Sequence, residues 1–231
     1  MNEERKKERK TMNKEKVTML VKGILLFVIV VITTVTIIYT PEKFRANQPL
    51  QQIGTALLMV PLLYDIVKNR MPLSAFVGIS LAIVIHVIGA QYSYSNVPHM
   101  EWCRWLELWA QKPRNNYDRI VHLSFGALLF PFLYHMSHKW LGEKKLAAIL
   151  MAWLLVQAGS IIYEIFEWQL SVWMDPSAAE GYNGQQGDVW DAQKDMALAM
   201  IGSTIMALFY AAKGNIELER IRALHIKGET K

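Results

Sequence analysis

Between Val17 and Thr40 the chain reads VTMLVKGILLFVIVVITTVTIIYT, and this run decides what the protein can fold into. As a helix rising about 1.5 Å per residue it crosses the roughly 30 Å hydrocarbon core of a bilayer. A helix is also what a bilayer demands, because no water is there to satisfy open backbone groups. A cleaved signal peptide is the rival. The stretch exceeds the usual apolar core of about 7–15 residues, however, and TIIYTPEKF offers no small-x-small cleavage site, so an uncleaved first span is expected. Further apolar runs follow at 50–67, 73–91, 119–136, 146–168 and 189–212. The 52% hydrophobic content is bunched into these runs, which excludes one large soluble domain. The sequence thus predicts an all-α polytopic bundle of about six transmembrane helices in the plasma or inner membrane. Pro61 and Pro131 predict kinks that neighbouring helices accommodate.

Residues 1–16 mix seven bases with four acids and have almost nothing to bury, so a disordered head or a frayed helix is expected. The bundle then occupies 17–212, followed by a basic tail at 213–231. Lys and Arg are retained on the cytoplasmic side of short connections. The head, the turn with Lys68 and Arg70, the turn with Lys139, Lys144 and Lys145, and the tail all fall on one side, which predicts cytoplasmic termini. The net charge of +5 is therefore topological; without aromatic-basic interleaving, nucleic acid is not an expected partner. The single cysteine, Cys103, excludes a disulfide framework or a multi-cysteine metal site. Between the third and fourth spans, Trp102, Trp105, Leu106 and Trp109 recur at helical spacing and predict an interfacial helix near 97–112. It reads either as a tryptophan anchor or as a lid beside a lipid-accessible site.

Six carboxylates stand out against this apolar background: Asp118 in YDRIVH, Glu164 and Glu167 in YEIFEW, and Asp188, Asp191 and Asp195 in GDVWDAQKD. With this topology the fourth span begins, the fifth ends and the sixth begins on the outer face, so all six lie at similar depth. Asp118 and His122 are i, i+4 and share a helix face. Gln157, Ser160, Glu164 and Glu167 form a polar stripe that should point into the bundle, since lipid solvates none of them. Asp118 and Asp188 also suit helix caps, whereas Glu164 and Asp195 lie deeper. Like charges raise one another's pKa, so the group needs compensation. Three sources are open: a divalent cation, shared protons, or the chain's own bases Arg119 and Lys194. Oxygen-rich ligands with an imidazole suit Mg, Mn or Ca and also accommodate Zn or Fe. The expected metal-ligand set is Asp118, His122, Glu167, Asp188, Asp191 and Asp195, with His122 or Glu164 left to manage a proton. The spacing lacks the HExxH signature. His86 is expected to be a satisfied interhelical group or a further member of the cluster, and Asp65 to pair locally with Lys68 or a headgroup. The glycine-rich connection MDPSAAEGYNGQQGD reads as a solvated connector or a cover over the site.

The blocks YDRIVHL, YEIFEW and GQQGDVWDAQKDM, in that order at helix ends, resemble the bacterial YjdF-like family of inner-membrane proteins. The likeness runs from about the third span to the end, with GDVWD its most specific part and Leu123 standing where phenylalanine is expected. A looser likeness in order and depth links the chain to the VanZ-like membrane proteins. These resemblances imply the architecture and the choice of residues, and no reaction.

Three functions remain open. A metal-assisted hydrolase or transferase on a lipid or cell-envelope substrate accounts for the acids at membrane depth. A non-catalytic structural or binding protein would use the acids for helix packing, and a cation or proton transporter would prefer acids spread across the bilayer. Membrane lipids are the expected partners in each case; oligomeric state is not legible.

Overall fold

The computed structural model describes residues 2–98 and 114–229, with side chains over 3–98 and 114–214. The interfacial helix expected near 97–112 lies almost wholly outside the described residues. Among the described residues seven α-helices follow one another: α1 (Asn2–Ile38), α2 (Gln48–Lys68), α3 (Leu73–Gln91), α4 (Tyr117–His135), α5 (Lys145–Trp173), α6 (Pro176–Asn183) and α7 (Asp191–Glu229). A 3-10 turn, Glu42–Asn47, leads into α2, and a π-helical turn, Met136–Trp140, ends α4. Among the described residues there is no strand, and six helices are long and apolar enough to cross a membrane. The α6 helix is the short exception, sitting between two spans.

The charged head does not stand apart from the first span. Its Glu, Lys and Arg residues are good helix formers, and α1 runs continuously from Asn2 into the apolar run. Of the two expectations for the head, a disordered segment or a frayed helix, the structure has helix, and the tail likewise continues α7 to Glu229. Pro61 and Pro131 both lie inside helices.

The helices pack through small residues. A Cβ at Gly126 of α4 would run into the Ala199 carbonyl of α7, and one at Gly202 of α7 would run into the Leu123 carbonyl of α4. Gly78 brings α3 equally close to Leu128 of α4. In lipid, such close approach is what drives helix association, because burial of apolar surface gains nothing over contact with lipid tails. The core between α1, α2, α3 and α4 gathers Ile29, Leu62, Phe76, Ile79, Ile83 and Leu129. On the perimeter, Leu57, Val67, Leu146, Ile162 and Leu208 are all about two-thirds exposed or more. So large an apolar surface is the lipid-facing wall of a spanning bundle.

At the end opposite the acids, one ion pair fastens α1. Lys22, fully buried, donates to Asp65 at 2.6 Å, to Asn69 Oδ1 at 3.0 Å and to the Met71 carbonyl at 2.7 Å. The other Asp65 oxygen accepts the N–H groups of Arg70 and Met71. Asp65 therefore pairs across the bundle with Lys22, and not locally with Lys68 or a headgroup: its side chain faces inward from α2, where Lys22 of α1 supplies the cation.

Candidate functional site

The start of α4, the end of α5 and the start of α7 meet at one end of the bundle, and their acids separate into two settings. The first is compensated. Asp188 accepts from Lys194 Nζ at 2.6 Å and from Arg119, and its other oxygen caps the turn into α7 by accepting the Trp190 N–H at 3.1 Å. Asp191 accepts from Arg114, and Arg119 lies 3.8 Å from the same oxygen. Both guanidinium groups are almost wholly buried. Burial works against ionisation of Asp188, but the Lys194, Trp190 and Arg119 contacts together outweigh it and hold the carboxyl below the usual carboxylate range.

The second setting lacks that compensation. One ligand atom each from Asp118, His122 and Asp195 lie within 4.8 Å of one another, and all three residues are buried. His122 Nε2 sits 3.6 Å from Asp118 Oδ1 and 3.7 Å from Glu164 Oε1. Arg114 reaches Asp118 only at 4.0 Å. The buried oxygens Glu164 Oε1 and Asp195 Oδ1 have no hydrogen-bond partner among the described residues. Glu167, also buried, lies close enough to Asp118, Glu164 and His122 to feel their charges.

Of the six metal ligands and two proton-handling groups expected from sequence, the structure brings Asp118, His122, Asp195 and Glu164 together with Glu167 beside them. It puts Asp188 and Asp191 against arginine and lysine instead. Asp118 stands in the first turn of α4 while Asn116 takes the cap position, so its side chain is free to turn inward. The polar stripe of α5 also faces in: Ser160, Glu164 and Glu167 are buried, and Gln157 donates to Ser203 of α7 at 2.9 Å.

The connection between α5 and α7 docks beside the site. Asp175 caps α6 by accepting from the Ser177 N–H at 2.9 Å, and Gly184, at φ +68°, closes it. Asn183 donates to the Glu167 carbonyl and Ser171 Oγ, which ties α6 to α5. Gln186 and the backbone of Asn115 exchange a reciprocal pair of hydrogen bonds at 2.9 Å, tying the connection to the entry of α4. Tyr182 packs edge-on against Phe166 and hydrogen-bonds Tyr163; burial pushes its hydroxyl up to about 12, so it stays a neutral phenol.

Beneath the acids, a cavity of about 210 Å³ extends between α2, α3, α4 and α5. Its walls are overwhelmingly apolar, with Asp118 and His122 at its polar end. His86 lines it as a satisfied group, bridging the Tyr94 hydroxyl at 2.6 Å and the Gln51 carbonyl at 3.1 Å. At the other membrane face, His135 and His138 bond the carbonyls of Arg70 and Glu143.

Sequence reasoning missed Arg114, which looked like an ordinary loop base. Its one signal is its place four residues before Asp118. Neither the cavity nor the tyrosines that flank it left a mark in the spacing.

A family described as "Predicted membrane protein (DUF2238)" matches residues 22–215. The inner membrane protein YjdF of Escherichia coli (strain K12) is 31% identical over 169 residues, covering 70% of this chain and 77% of that protein. No solved structure matches the chain.

Proposed function

The chain belongs to the DUF2238 family of membrane proteins, and from that premise we propose that it is a multi-pass inner-membrane protein whose acidic end holds a divalent cation and acts as a metal-assisted hydrolase or transferase on a lipid or cell-envelope substrate. The observation that carries this reading is the Asp118, His122 and Asp195 triad with two orphaned carboxylate oxygens beside it. Ligands at about 2.0–2.6 Å from a common ion stand up to about twice that from one another, so separations within 4.8 Å suit one ion. A buried carboxylate oxygen without a donor costs several kcal/mol unless something neutralises it.

When bound, such an ion polarises an ester or phosphoryl oxygen and makes a water molecule more acidic. Glu164, in reach of His122, accepts or returns the proton. Glu167 adds negative charge that favours the cation, while Arg114 and Arg119 fix Asp188 and Asp191 and leave the triad's charge to the ion. Burial of all three triad side chains keeps bulk water from the site.

The second reading, a non-catalytic protein whose acids serve packing, draws on the same cations: Arg114, Arg119, Lys194 and a protonated His122 neutralise part of the cluster without any ion. The two readings differ in the response to added cations. With a bound ion, Asp195→Asn loses both the metal and the stability that binding confers, about 2.7 kcal/mol at a free concentration one hundred times Kd. Without one, wild type and variant alike hold no metal and neither is stabilised by added cation. Elemental analysis of purified protein and thermal shifts with Mn, Mg, Ca and Zn decide between them. A metal-free wild type with no shift for any of the four sinks the metal reading.

A further inference from the structure

We propose that the cavity below the acid cluster binds one hydrocarbon chain of a membrane amphiphile, with the polar end of that molecule meeting Asp118 and His122. The polar half of the proposal rests on the reading of the site as a cation centre; the chain site stands on the cavity itself. Three observations point to this occupant. The cavity lies within four membrane-spanning helices, where the surrounding solvent is hydrocarbon. Its lining runs along α4 from Asp118 to Phe125, about 10 Å of helix at 1.5 Å per residue, and changes from ionic to apolar over that distance. Leu58, Ile85, Val121 and Phe125 supply most of the apolar wall, with the small hydroxyls of Ser124 and Ser160 beside them, and this lining suits an amphiphile whose head meets the acids.

Volume selects a slim ligand. About 210 Å³ falls below the roughly 300 Å³ at which pockets begin to enclose a drug-sized molecule, so an extended chain fits and a bulky ring system does not. Glycines hold the space open on two flanks. A Cβ at Gly54 of α2 would press on the His86 ring, and one at Gly159 of α5 would meet only the edge of Phe125. A longer side chain at Gly159 would therefore extend into the cavity.

The test uses the full chain reconstituted in phosphatidylethanolamine and phosphatidylglycerol vesicles doped with phosphatidylethanolamine that carries a diazirine on one acyl chain. After irradiation, mass spectrometry maps the label. Labelling at Val121 and Phe125 should exceed that at the exposed Leu208 and Phe209 severalfold. Gly159→Leu and Ser124→Leu should each reduce cavity labelling severalfold while perimeter labelling and metal content stay as in wild type. A parallel arm with diazirine-bearing palmitic acid separates a whole lipid from a free acid, and labelling by either supports the chain site. Cavity labelling no higher than the perimeter's, or unchanged in both filled variants, overturns the proposal. Metal content is read on the same samples: a metal-free protein that still labels at the cavity supports the chain site and counts against the metal-assisted reading alone.

Discussion

Asp188 and Asp195 lie about two helical turns apart in sequence, yet they end in opposite electrostatic settings. Asp188 meets Arg119 and Lys194, while one oxygen of Asp195 faces no donor at all among the described residues. The difference has a pH signature. A carboxyl held below its unfolded value contributes stability that is present above that value and is lost as pH falls through the folded one. For Asp188 this places the loss below about pH 4, the ordinary aspartate range. Asp188→Asn should therefore flatten the acid limb of a stability profile measured by thermal unfolding in detergent between pH 3 and 6, and an unchanged limb would show that its cations add nothing. At this scale the acids were legible because ionisable residues beside apolar runs are conspicuous. Their partners were less so: Arg114 lies in a polar connection with only its place four residues before Asp118 to mark it, and Lys22 pairs with Asp65 across a separation of 43 residues that nothing local signals.

The crossing of α4 and α7 sets the distance between Asp118 and His122 on one helix and Asp195 on the other. Gly126 and Gly202 let the two backbones touch, so a side chain at either position pries the helices apart. Gly126→Leu is expected to destabilise the fold by about 1–3 kcal/mol or more, as overpacking does. It should also lower bound metal, although the residue touches no ligand. Elemental analysis of the folded fraction checks this; a stable variant with full metal content would mean the triad does not depend on the crossing. The six long helices could be read from apolar run length alone. The small α6 helix escaped notice because it lies in a glycine-rich polar connection. Its helical state depends on the Asp175 cap, and its docking on Asn183 and Gln186. The head was left between disorder and a frayed helix because its charge argues against burial, yet the same residues favour helix.

For the molecule as a whole, the perimeter carries the membrane signature. Exposed Trp168, Trp173 and Trp190 ring the acidic end, and Trp140 marks the other. Tryptophans at such levels anchor a bundle at the two headgroup regions, which puts the acids just inside one boundary. The distribution of Lys and Arg predicts that both termini face the cytoplasm and the acids face outward. A reporter fused after Lys231 should signal from the cytoplasm, and an external signal would invert the orientation and move the site to the inner leaflet. Hydropathy gave the spans and base counting gave a side, but the joining of three helix ends into one pocket is a tertiary fact that no single span contains.

The Lys22 anchor bears on how the protein is made. Asp65, Asn69 and Met71 follow Lys22 by 43, 47 and 49 residues, so the ammonium of α1 reaches the membrane ahead of its counter-ion, and hydrocarbon is a poor place for it. A lysine without its counter-ion snorkels toward the headgroups, and the α2–α3 hairpin supplies the aspartate, amide and carbonyl that let this one lie buried. The seating of α1 is thus coupled to the presence of that hairpin.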